Sequence, residues 1–264
     1  MLTIATANVN GIRAAFKRGL GAWIDDRLPD VILLQEVRAP DDVLRAFFPT
    51  GWHLAIEASE LKGRAGVAIA SRLPVRAVRA GLGEGVPTNT GRWVEADLEL
   101  PDGGTLTVVS TYLHSGTADT PSMDDKYAFL DLVASRLAEL SALGGFAVVG
   151  GDLNIAHRNV DIKNWKGNLK AAGFLPQERA YLDRWFDDLG WRDLGRELGG
   201  DGPGPYTWWS WRGKAFDNDA GWRIDYQLAT PDLADAATKA EVERADAYDQ
   251  RWSDHAPLVV TYDR

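Results

Sequence analysis

The sequence of 264 residues contains no cysteine, so the chain has neither disulfides nor thiolate ligands for a metal. A bound metal must therefore be held by oxygen atoms or by imidazole. Oxygen ligands suit hard cations better than soft ones. If this protein uses a metal, we expect a hard divalent cation.

Long apolar runs are also lacking, because no stretch reaches the roughly 18 to 20 uninterrupted apolar residues that span a bilayer. The first residues, MLTIATANVNGIR, do not form a basic region followed by an apolar one, as a secretory signal would. The sequence has no low-complexity tract, internal repeat or long linker. We expect residues 1–264 to form one soluble domain that works in the cytoplasm and does not bind membranes.

The chain has little positive charge overall, with a net charge of −9 and a pI near 5.0. This balance argues against a nucleic-acid partner, since such proteins commonly present a basic surface. The acidic residues are concentrated in residues 181–201 and 232–249, however, while residues 62–64, 158–166 and 212–214 are basic. If folding brings the basic loops together, a locally positive face can bind phosphates on an acidic molecule.

Apolar segments bounded by Gly and Pro turns predict an alternation of strands and helices. Strands are expected at residues 3–9, 31–35, 66–71, 93–100, 105–113, 146–151, 223–229 and 257–262. Helices are expected through Trp23 to Leu28 and over residues 122–140, the second with Ser122 as its N-cap. This count favours an α/β fold, a four-layer α/β sandwich in which two packed mixed β-sheets are flanked by helices.

Polar residues repeatedly stand where an apolar run ends, which is where a sheet presents functional groups on its loops. Asn8 follows TIATA, Glu36 follows VILLQ, Tyr112 and His114 lie in STYLHSG, Asp152 and Asn154 lie in VVGGDLN, and Asp254 and His255 precede PLVVTY. A single acid at a strand end is more often a helix cap or a turn residue. Polar residues at the ends of five separate apolar runs are harder to explain as caps or turn residues.

These side chains would form an oxygen-rich site if they converge. Carboxylates from Glu36, Asp152 and Asp254 suit Mg²⁺, which takes few protein carboxylates and keeps waters that a substrate phosphate can replace. His255 could donate to a phosphoryl oxygen, with Asp225 of RIDY as the carboxylate that holds its other nitrogen. Without the neighbouring motifs, His255 would be taken for an ordinary surface or core histidine.

Several motifs together resemble one known family. They are NVNGIR at 8–13, LQE at 34–36, GGDLNIAHRNVDIKN from residue 150, GWRIDY at 221–226 and SDHAPL at 253–258. In this order they are similar to the exonuclease III family of abasic-site endonucleases, within the endonuclease/exonuclease/phosphatase superfamily. DLN and SDH occur throughout the superfamily, whereas the continuation AHRNVDIKNWKGN and the segment AGFLPQER are specific to its DNA-repair branch.

The resemblance implies a repair phosphodiesterase that cuts duplex DNA 5′ to abasic sites, with 3′→5′ exonuclease and 3′-phosphatase activity. It implies Mg²⁺ as the cofactor, with Mn²⁺ as an alternative, and a monomer acting on abasic sites or blocked 3′ ends. The metal would be bound by Glu36, with Asn8 and Asp254, and the catalytic residues would be Asp152, Asn154, His255, Asp225 and Tyr112. Trp208, Trp222 and Ile224 would form a pocket for the baseless sugar, Asn164 and Asn168 would contact the DNA backbone, and Arg212 would insert into the duplex.

Two other interpretations remain open at this point. One is a superfamily phosphatase that acts on a lipid or inositol phosphoester, and the other is a catalytically inactive DNA-binding scaffold. The chain also departs from many relatives, since LHSG follows Tyr112 where they have a proline and an amide, and Asn10 stands where some carry Asp. The first departure affects the phosphate or metal contacts that would be expected at His114 and Ser115. The second would remove one carboxylate from the neighbourhood of the metal.

Overall fold

The computed structural model describes residues 1–83 and 90–264, and within them the apolar runs form strands of two sheets. The strands are β1 (Leu2–Asn8), β2 (Val31–Gln35), β3 (His53–Glu57), β4 (Val67–Ser71), β5 (Val75–Ala80), β6 (Trp93–Glu99), β7 (Thr105–Tyr112), β8 (Phe146–Asp152), β9 (Arg192–Asp193), β10 (Asp225–Ala229), β11 (Ala237–Val242) and β12 (Leu258–Tyr262). The helices are α1 (Ile12–Lys17), α2 (Leu20–Arg27), α3 (Asp41–Arg45), α4 (Pro121–Leu143), α5 (Pro176–Asp183), α6 (Leu194–Glu197) and α7 (Pro231–Ala234).

Each sheet has six strands, in the orders β11-β12-β1-β2-β4-β3 and β5-β6-β7-β8-β10-β9. The pairs β1/β2 and β7/β8 are parallel, and their neighbours run antiparallel, so both sheets are mixed as predicted. β1 pairs with β12, which joins the two ends of the chain in one sheet. The carboxyl ends of β1 and β2 lie at the same edge of one sheet, and those of β7 and β8 at the same edge of the other.

The side chains of the central strands are buried on both faces, which explains their continuous apolar runs. Ile4 and Val148 belong to the core between the two sheets. Their neighbours Ala5 and Val149 point the opposite way, because side chains alternate along a strand. Ala5 packs in a cluster with α1 and α2, and Val149 packs in one with α4 and α5. These four layers confirm the predicted α/β sandwich.

Two glycines allow the last residues of β8 to pack closely against their neighbours. A Cβ atom at Gly150 would lie 2.3 Å from Oγ1 of Thr6 in the other sheet. A Cβ atom at Gly151 would lie 2.0 Å from the carbonyl oxygen of Thr111 in the adjacent β7. Both distances are too short for a side chain, so the GG of VVGGD allows the end of β8 to lie close to β1 and β7.

The structure differs from the sequence-based expectations at the starts of helices and at the edge strands of the sheets. The expected helix through Trp23 to Leu28 is preceded by a separate α1, and the two are divided at Gly19, whose φ is 118°. The N-cap of α4 is Thr120 and not Ser122, because the helix begins at Pro121. Strands β3, β5, β9 and β11 were not predicted. They lie at the ends of their sheets, where half-exposed strands carry charged residues and no apolar run.

None of the helices in residues 1–83 and 90–264 is both long enough and apolar enough to cross a membrane.

Candidate active site

The first sheet brings three of the predicted segments to one edge. Asn8 is the last residue of β1, and Glu36 immediately follows β2, which runs parallel to β1. β12 runs antiparallel to β1 with Leu258 opposite Thr6, so the residues before β12 lie beside the end of β1. This register places Asp254 and His255 near Asn8 and Glu36.

The second sheet supplies the other predicted side chains at its own corresponding edge. Tyr112 ends β7 directly opposite Asp152, the last residue of the parallel strand β8. Asp225 begins the antiparallel strand β10 and is also opposite Asp152. The order of strands and their register therefore bring residues far apart in sequence together.

The two edges enclose a cavity of about 520 Å³. Its wall includes the predicted residues Glu36, Tyr112, Asp152, Asn154, Trp208, Trp222, Ile224, Asp254 and His255. Asn8 and Asp225 lie behind this wall and form hydrogen bonds to its side chains. The convergence on which the functional prediction depends, Glu36, Asp152 and His255 around one cavity, is present.

Asp152 is held by amide donors. Its Oδ1 accepts a hydrogen bond from the backbone N–H of Asn154 at 2.9 Å. Its Oδ2 accepts hydrogen bonds from Nδ2 of Asn8 at 2.8 Å and from Nδ2 of Asn154 at 3.1 Å. Asn154 also donates from Nδ2 to the carbonyl of Leu113 at 2.8 Å, which fixes its side chain. The carboxylate of Asp152 is thus fixed in orientation by neutral groups.

His255 is paired with a second carboxylate. Its Nδ1 lies 2.8 Å from Oδ2 of Asp225, and its Nε2 lies 3.8 Å from Oδ2 of Asp152. Burial alone would lower the pKa of His255, but the carboxylates of Asp225 and Asp152 outweigh this effect and raise the pKa to about 10. The imidazole is therefore a cation near neutral pH, with its Nε2–H on the side of Asp152.

The cavity is crowded with negative charge. Burial raises the pKa of Asp152 to about 8; His255 opposes this rise, while the carboxylates of Asp225 and Glu36 add to it. Burial also raises the pKa of Tyr112, as do Glu36 and Asp152, so its hydroxyl stays protonated. A cation placed among these groups would favour their ionised forms.

Glu36 and Asp254 are both held by neighbouring side chains. Glu36 accepts from Nδ2 of Asn8 at 3.1 Å and forms an ion pair with Arg38. Asp254 accepts from Nδ2 of Asn10 at 2.7 Å and from the indole N–H of Trp208 at 3.1 Å. Each carboxylate is therefore fixed in place at the cavity wall.

Four residues that line the cavity have backbone torsions that residues other than glycine rarely adopt. The φ angles of Asn10, Glu36, Arg38 and Asn154 are 44°, 50°, 52° and 48°. Left-handed backbone at residues with a Cβ atom is strained and concentrates at functional sites. The loops that carry these side chains are held in place by their surroundings.

The residues present fit a hard divalent cation. Glu36, Asp152 and Asp254 provide carboxylate oxygens at one cavity, and no thiolate competes in the cysteine-free chain. Among the described residues, ligand atoms of Asp152, Asp225 and His255 also lie within 4.8 Å of one another. Because Nδ1 of His255 is already bonded to Asp225, we interpret that trio as a hydrogen-bonded group.

Trp208 and Trp222 form the apolar part of the wall. Their rings lie edge to face, 6.3 Å apart, and pack with Ile224 against Ile162 and Phe174. Both indoles are half-buried and line the cavity, so they are accessible to a ligand there.

Three predicted DNA-contacting residues lie outside the cavity wall. Asn164 and Arg212 are exposed on loops, and Nδ2 of Asn168 donates to the carbonyl of Asn164. Arg38, by contrast, lines the cavity but was not predicted. The only signal for it in the sequence was its position two residues after Glu36, in the loop that follows β2.

A family model described as the Endonuclease/Exonuclease/phosphatase family matches residues 5–255. A curated relative, an exodeoxyribonuclease of Bacillus subtilis, is 30% identical over 255 residues, which cover 95% of each chain. An AP endonuclease structure from Archaeoglobus fulgidus covers 100% of both chains at 29% identity, with a TM-score of 0.84. The 3′ phosphatase NExo from Neisseria, solved bound to product DNA hairpin, covers 100% of both chains at 27% identity, with a TM-score of 0.86.

Proposed function

Because the chain belongs to the endonuclease/exonuclease/phosphatase family and is similar over its length to DNA-repair nucleases, we propose that it hydrolyses duplex DNA on the 5′ side of abasic sites. The proposal includes 3′→5′ exonuclease and 3′-phosphatase activity on blocked 3′ ends. It takes residues 1–264 as one catalytic domain that acts as a monomer. Since its substrate would be chromosomal DNA, we propose that the protein acts in the cytoplasm and associates with the nucleoid during repair.

Asp152 would orient and deprotonate the attacking water. Its carboxylate lines the cavity and is held by hydrogen bonds from Asn8 and Asn154, so its orientation is set before the substrate binds. Asn154, which also lines the cavity, would orient the same water or a phosphate oxygen. A fixed base beside the scissile bond lowers the entropic part of the barrier.

His255 would stabilise the negative charge that develops on the phosphate. Asp225 holds Nδ1, which leaves Nε2–H free to donate toward the cavity. The hydroxyl of Tyr112 would donate to a second phosphate oxygen, since its raised pKa keeps it protonated. Hydrolysis of a phosphodiester needs such donors because charge spreads over the equatorial oxygens.

Glu36 would bind the divalent cation, with Asp254 as a further oxygen ligand and Asn8 holding Glu36 in position. We propose Mg²⁺, with Mn²⁺ able to replace it, because both accept carboxylate oxygens. When bound, the cation neutralises phosphate oxygens and stabilises the leaving alkoxide.

Trp208, Trp222 and Ile224 would receive the sugar that has lost its base. An apolar pocket beside the catalytic groups favours a flipped deoxyribose, and flipping costs least where no base is paired or stacked. Asn164, Asn168 and Arg212 would contact the duplex outside the cavity. The loop with the two asparagines follows Ile162, which pairs with Trp222, so it lies next to this pocket.

The observation that carries the proposal is the meeting of Asp152, His255 and Glu36 at one cavity that also contains two accessible indole rings. The test uses a duplex with one tetrahydrofuran abasic analogue and Mg²⁺. We expect a single nick 5′ to the analogue, and EDTA should abolish it.

Undamaged duplex and an inositol phosphate serve as parallel substrates. Turnover of the inositol phosphate with the abasic duplex left intact would replace the proposal with a phosphatase function. Failure to cut the duplex with any divalent ion would count against nuclease activity altogether.

A further inference from the structure

Lys126 of α4 and Glu178 of α5 form an ion pair whose side chains are both 0% exposed. Nζ of Lys126 lies 2.6 Å from Oε1 of Glu178. Burying two charges is costly, and such a pair is often no more stable than apolar side chains of the same volume. Stability alone therefore does not explain why the Lys126–Glu178 pair is buried.

The remaining hydrogen bonds of the pair go to backbone groups of three loops. Nζ of Lys126 donates to the carbonyl oxygens of Ser115 and Asn154, each at 3.0 Å. Oε2 of Glu178 accepts from the backbone N–H of Gly173 at 2.7 Å and from that of Leu175 at 3.0 Å. An ammonium has three N–H groups, so every donor of Lys126 has a partner.

These loops form part of the cavity wall, because Ser115, Asn154 and Gly173 all line it. The Asn154 and Gly173 loops also depend on each other. The carbonyl of Gly173 accepts from the N–H of Ala156 at 2.8 Å. A Cβ atom at Gly173 would lie 2.9 Å from the carbonyl oxygen of Asn154, the same oxygen that Lys126 binds.

Asn154 links this ion pair to the catalytic carboxylate. Its backbone has a φ of 48°, in the left-handed region that few residues with a Cβ atom adopt. In that conformation its N–H and its side chain both donate to Asp152. A displacement of the Asn154 backbone would release its carbonyl from Lys126 and would shift its Cα atom, which carries both the N–H and the side chain that orient Asp152.

We propose that Lys126 and Glu178 form a positioning unit that fixes the Asn154 backbone, and through it the orientation of Asp152 for attack on the phosphodiester. This inference rests on the proposed function for its reaction. Lys126 acts through Asn154 and does not touch the substrate. Its contribution therefore belongs to the rate of the chemical step and not to DNA affinity.

The test compares two buried cations with matched surroundings. Lys126→Met removes a cation bonded to one carboxylate and two carbonyls. Arg196→Met is the control, since Arg196 bonds Asp161 and the carbonyls of Gly200 and Gly202, none of which lines the cavity. Both variants should lower Tm, because each leaves a buried carboxylate with fewer partners.

The two variants should differ in kcat on abasic duplex. We expect Lys126→Met to lower kcat roughly 10- to 100-fold, since small misplacements of reacting groups have effects of this size. KM should stay within a factor of about 3, while Arg196→Met should keep both constants. Equal losses of kcat in the two variants, or an unchanged kcat in Lys126→Met, would overturn the proposal.

A double variant, Lys126→Met with Glu178→Gln, guards against poor folding of the single one. The glutamine keeps an oxygen for the N–H groups of Gly173 and Leu175 and removes the unpaired buried charge. Its Tm should recover while kcat stays below that of the wild type. Recovery of kcat in step with Tm would make the pair purely structural.

Amide hydrogen exchange provides a readout that needs no nuclease activity. The N–H of Ala156 donates to the carbonyl of Gly173, and the N–H of Gly173 donates to Oε2 of Glu178. Exchange at both amides should accelerate in Lys126→Met and not in Arg196→Met. If the wild type leaves abasic duplex intact, the proposed function fails. Unchanged exchange would instead overturn the positioning unit itself.

Discussion

At the scale of single residues, Asp152 is distinguished by the neutrality of its partners. Its hydrogen bonds come from the amides of Asn8 and Asn154, and among the described residues no cation lies within hydrogen-bonding distance of it. The nearest is Nε2 of His255, at 3.8 Å. A carboxylate held in this way keeps its capacity to accept a proton, whereas one locked in a salt bridge would lose it.

Replacing Asp152 with Asn therefore tests the carboxylate with little change in shape. We expect Asp152→Asn to lower the rate of abasic-site cleavage by roughly 10²- to 10⁴-fold, the range for loss of a general base. Single-turnover cleavage would measure the rate. DNA affinity, measured by anisotropy in EDTA, should stay close to that of the wild type, because orienting water is not needed to hold DNA.

Asp183→Asn is the matched control for that experiment. Asp183 is also a carboxylate that pairs with a histidine, His157, but its side chain is 60% exposed and it does not line the cavity. Its replacement should leave the rate unchanged. A fully active Asp152→Asn protein would remove Asp152 from the mechanism.

At the scale of helices and strands, the sequence predicted the elements that carry the site. Strands buried on both faces appear as apolar runs, and β2 was predicted with its observed limits. Polar residues at the ends of these runs marked Asn8, Glu36 and Asp152, because loops at strand ends carry the functional side chains. The convergence of these ends depends on strand order, which the local pattern does not contain; before the structure, only the family resemblance implied that these residues share one site.

The buried lysine of α4 could not be predicted in this way. Lys126 stands one turn before Leu130 on the buried face of α4, whereas a lysine in a sequence is ordinarily expected to be exposed. Its partner Glu178 is 52 residues further along the chain. Only the three-dimensional packing of α4 against α5 reveals the pair.

A buried carboxylate, Asp161, connects α6 to the segment before β10 and makes the stability of the fold depend on pH. Asp161 ends a short turn and pairs with Arg223, next to β10, and with Arg196 of α6. Burial alone would raise the pKa of Asp161, but the two guanidiniums lower it to about 2, from a usual value of 3.8. Because the folded state holds the proton less tightly than the unfolded state, this stabilisation is complete above about pH 4 and is lost as pH falls toward 2.

We therefore expect the destabilisation caused by Asp161→Asn to shrink in acid. The free energy of unfolding should differ from that of the wild type by about 2 kcal/mol less at pH 2 than at pH 6. Urea unfolding at a series of pH values would measure this. Leu194→Ala, a buried and uncharged change in α6, is the control whose effect should not vary with pH. A constant difference for Asp161→Asn would contradict the linkage.

At the scale of the whole molecule, the family match and the full-length relatives confirm the prediction of a nuclease hydrolase in DNA repair. The interpretations as a lipid or inositol phosphatase and as an inactive scaffold do not match the names of these relatives, which are an exodeoxyribonuclease, an AP endonuclease and a 3′ phosphatase bound to DNA. The net charge of −9 is the feature that fits least well with a DNA substrate. It requires that binding depend on the local potential near the cavity.

The loop that follows Ile162 tests this requirement, because its lysines are exposed and it adjoins the Trp222 side of the cavity. We expect Lys163→Gln with Lys166→Gln to weaken binding of abasic duplex in EDTA. The slope of log K against log salt should decrease in magnitude by about 2, since each lost phosphate contact removes about 0.9. Lys239→Gln with Arg264→Gln makes the same change of charge near the other end of β12, where Lys239 of β11 lies opposite Thr261 and Arg264 follows the strand. If the net charge governed binding, both pairs would weaken it equally; a local basic face predicts that only the first pair changes the slope.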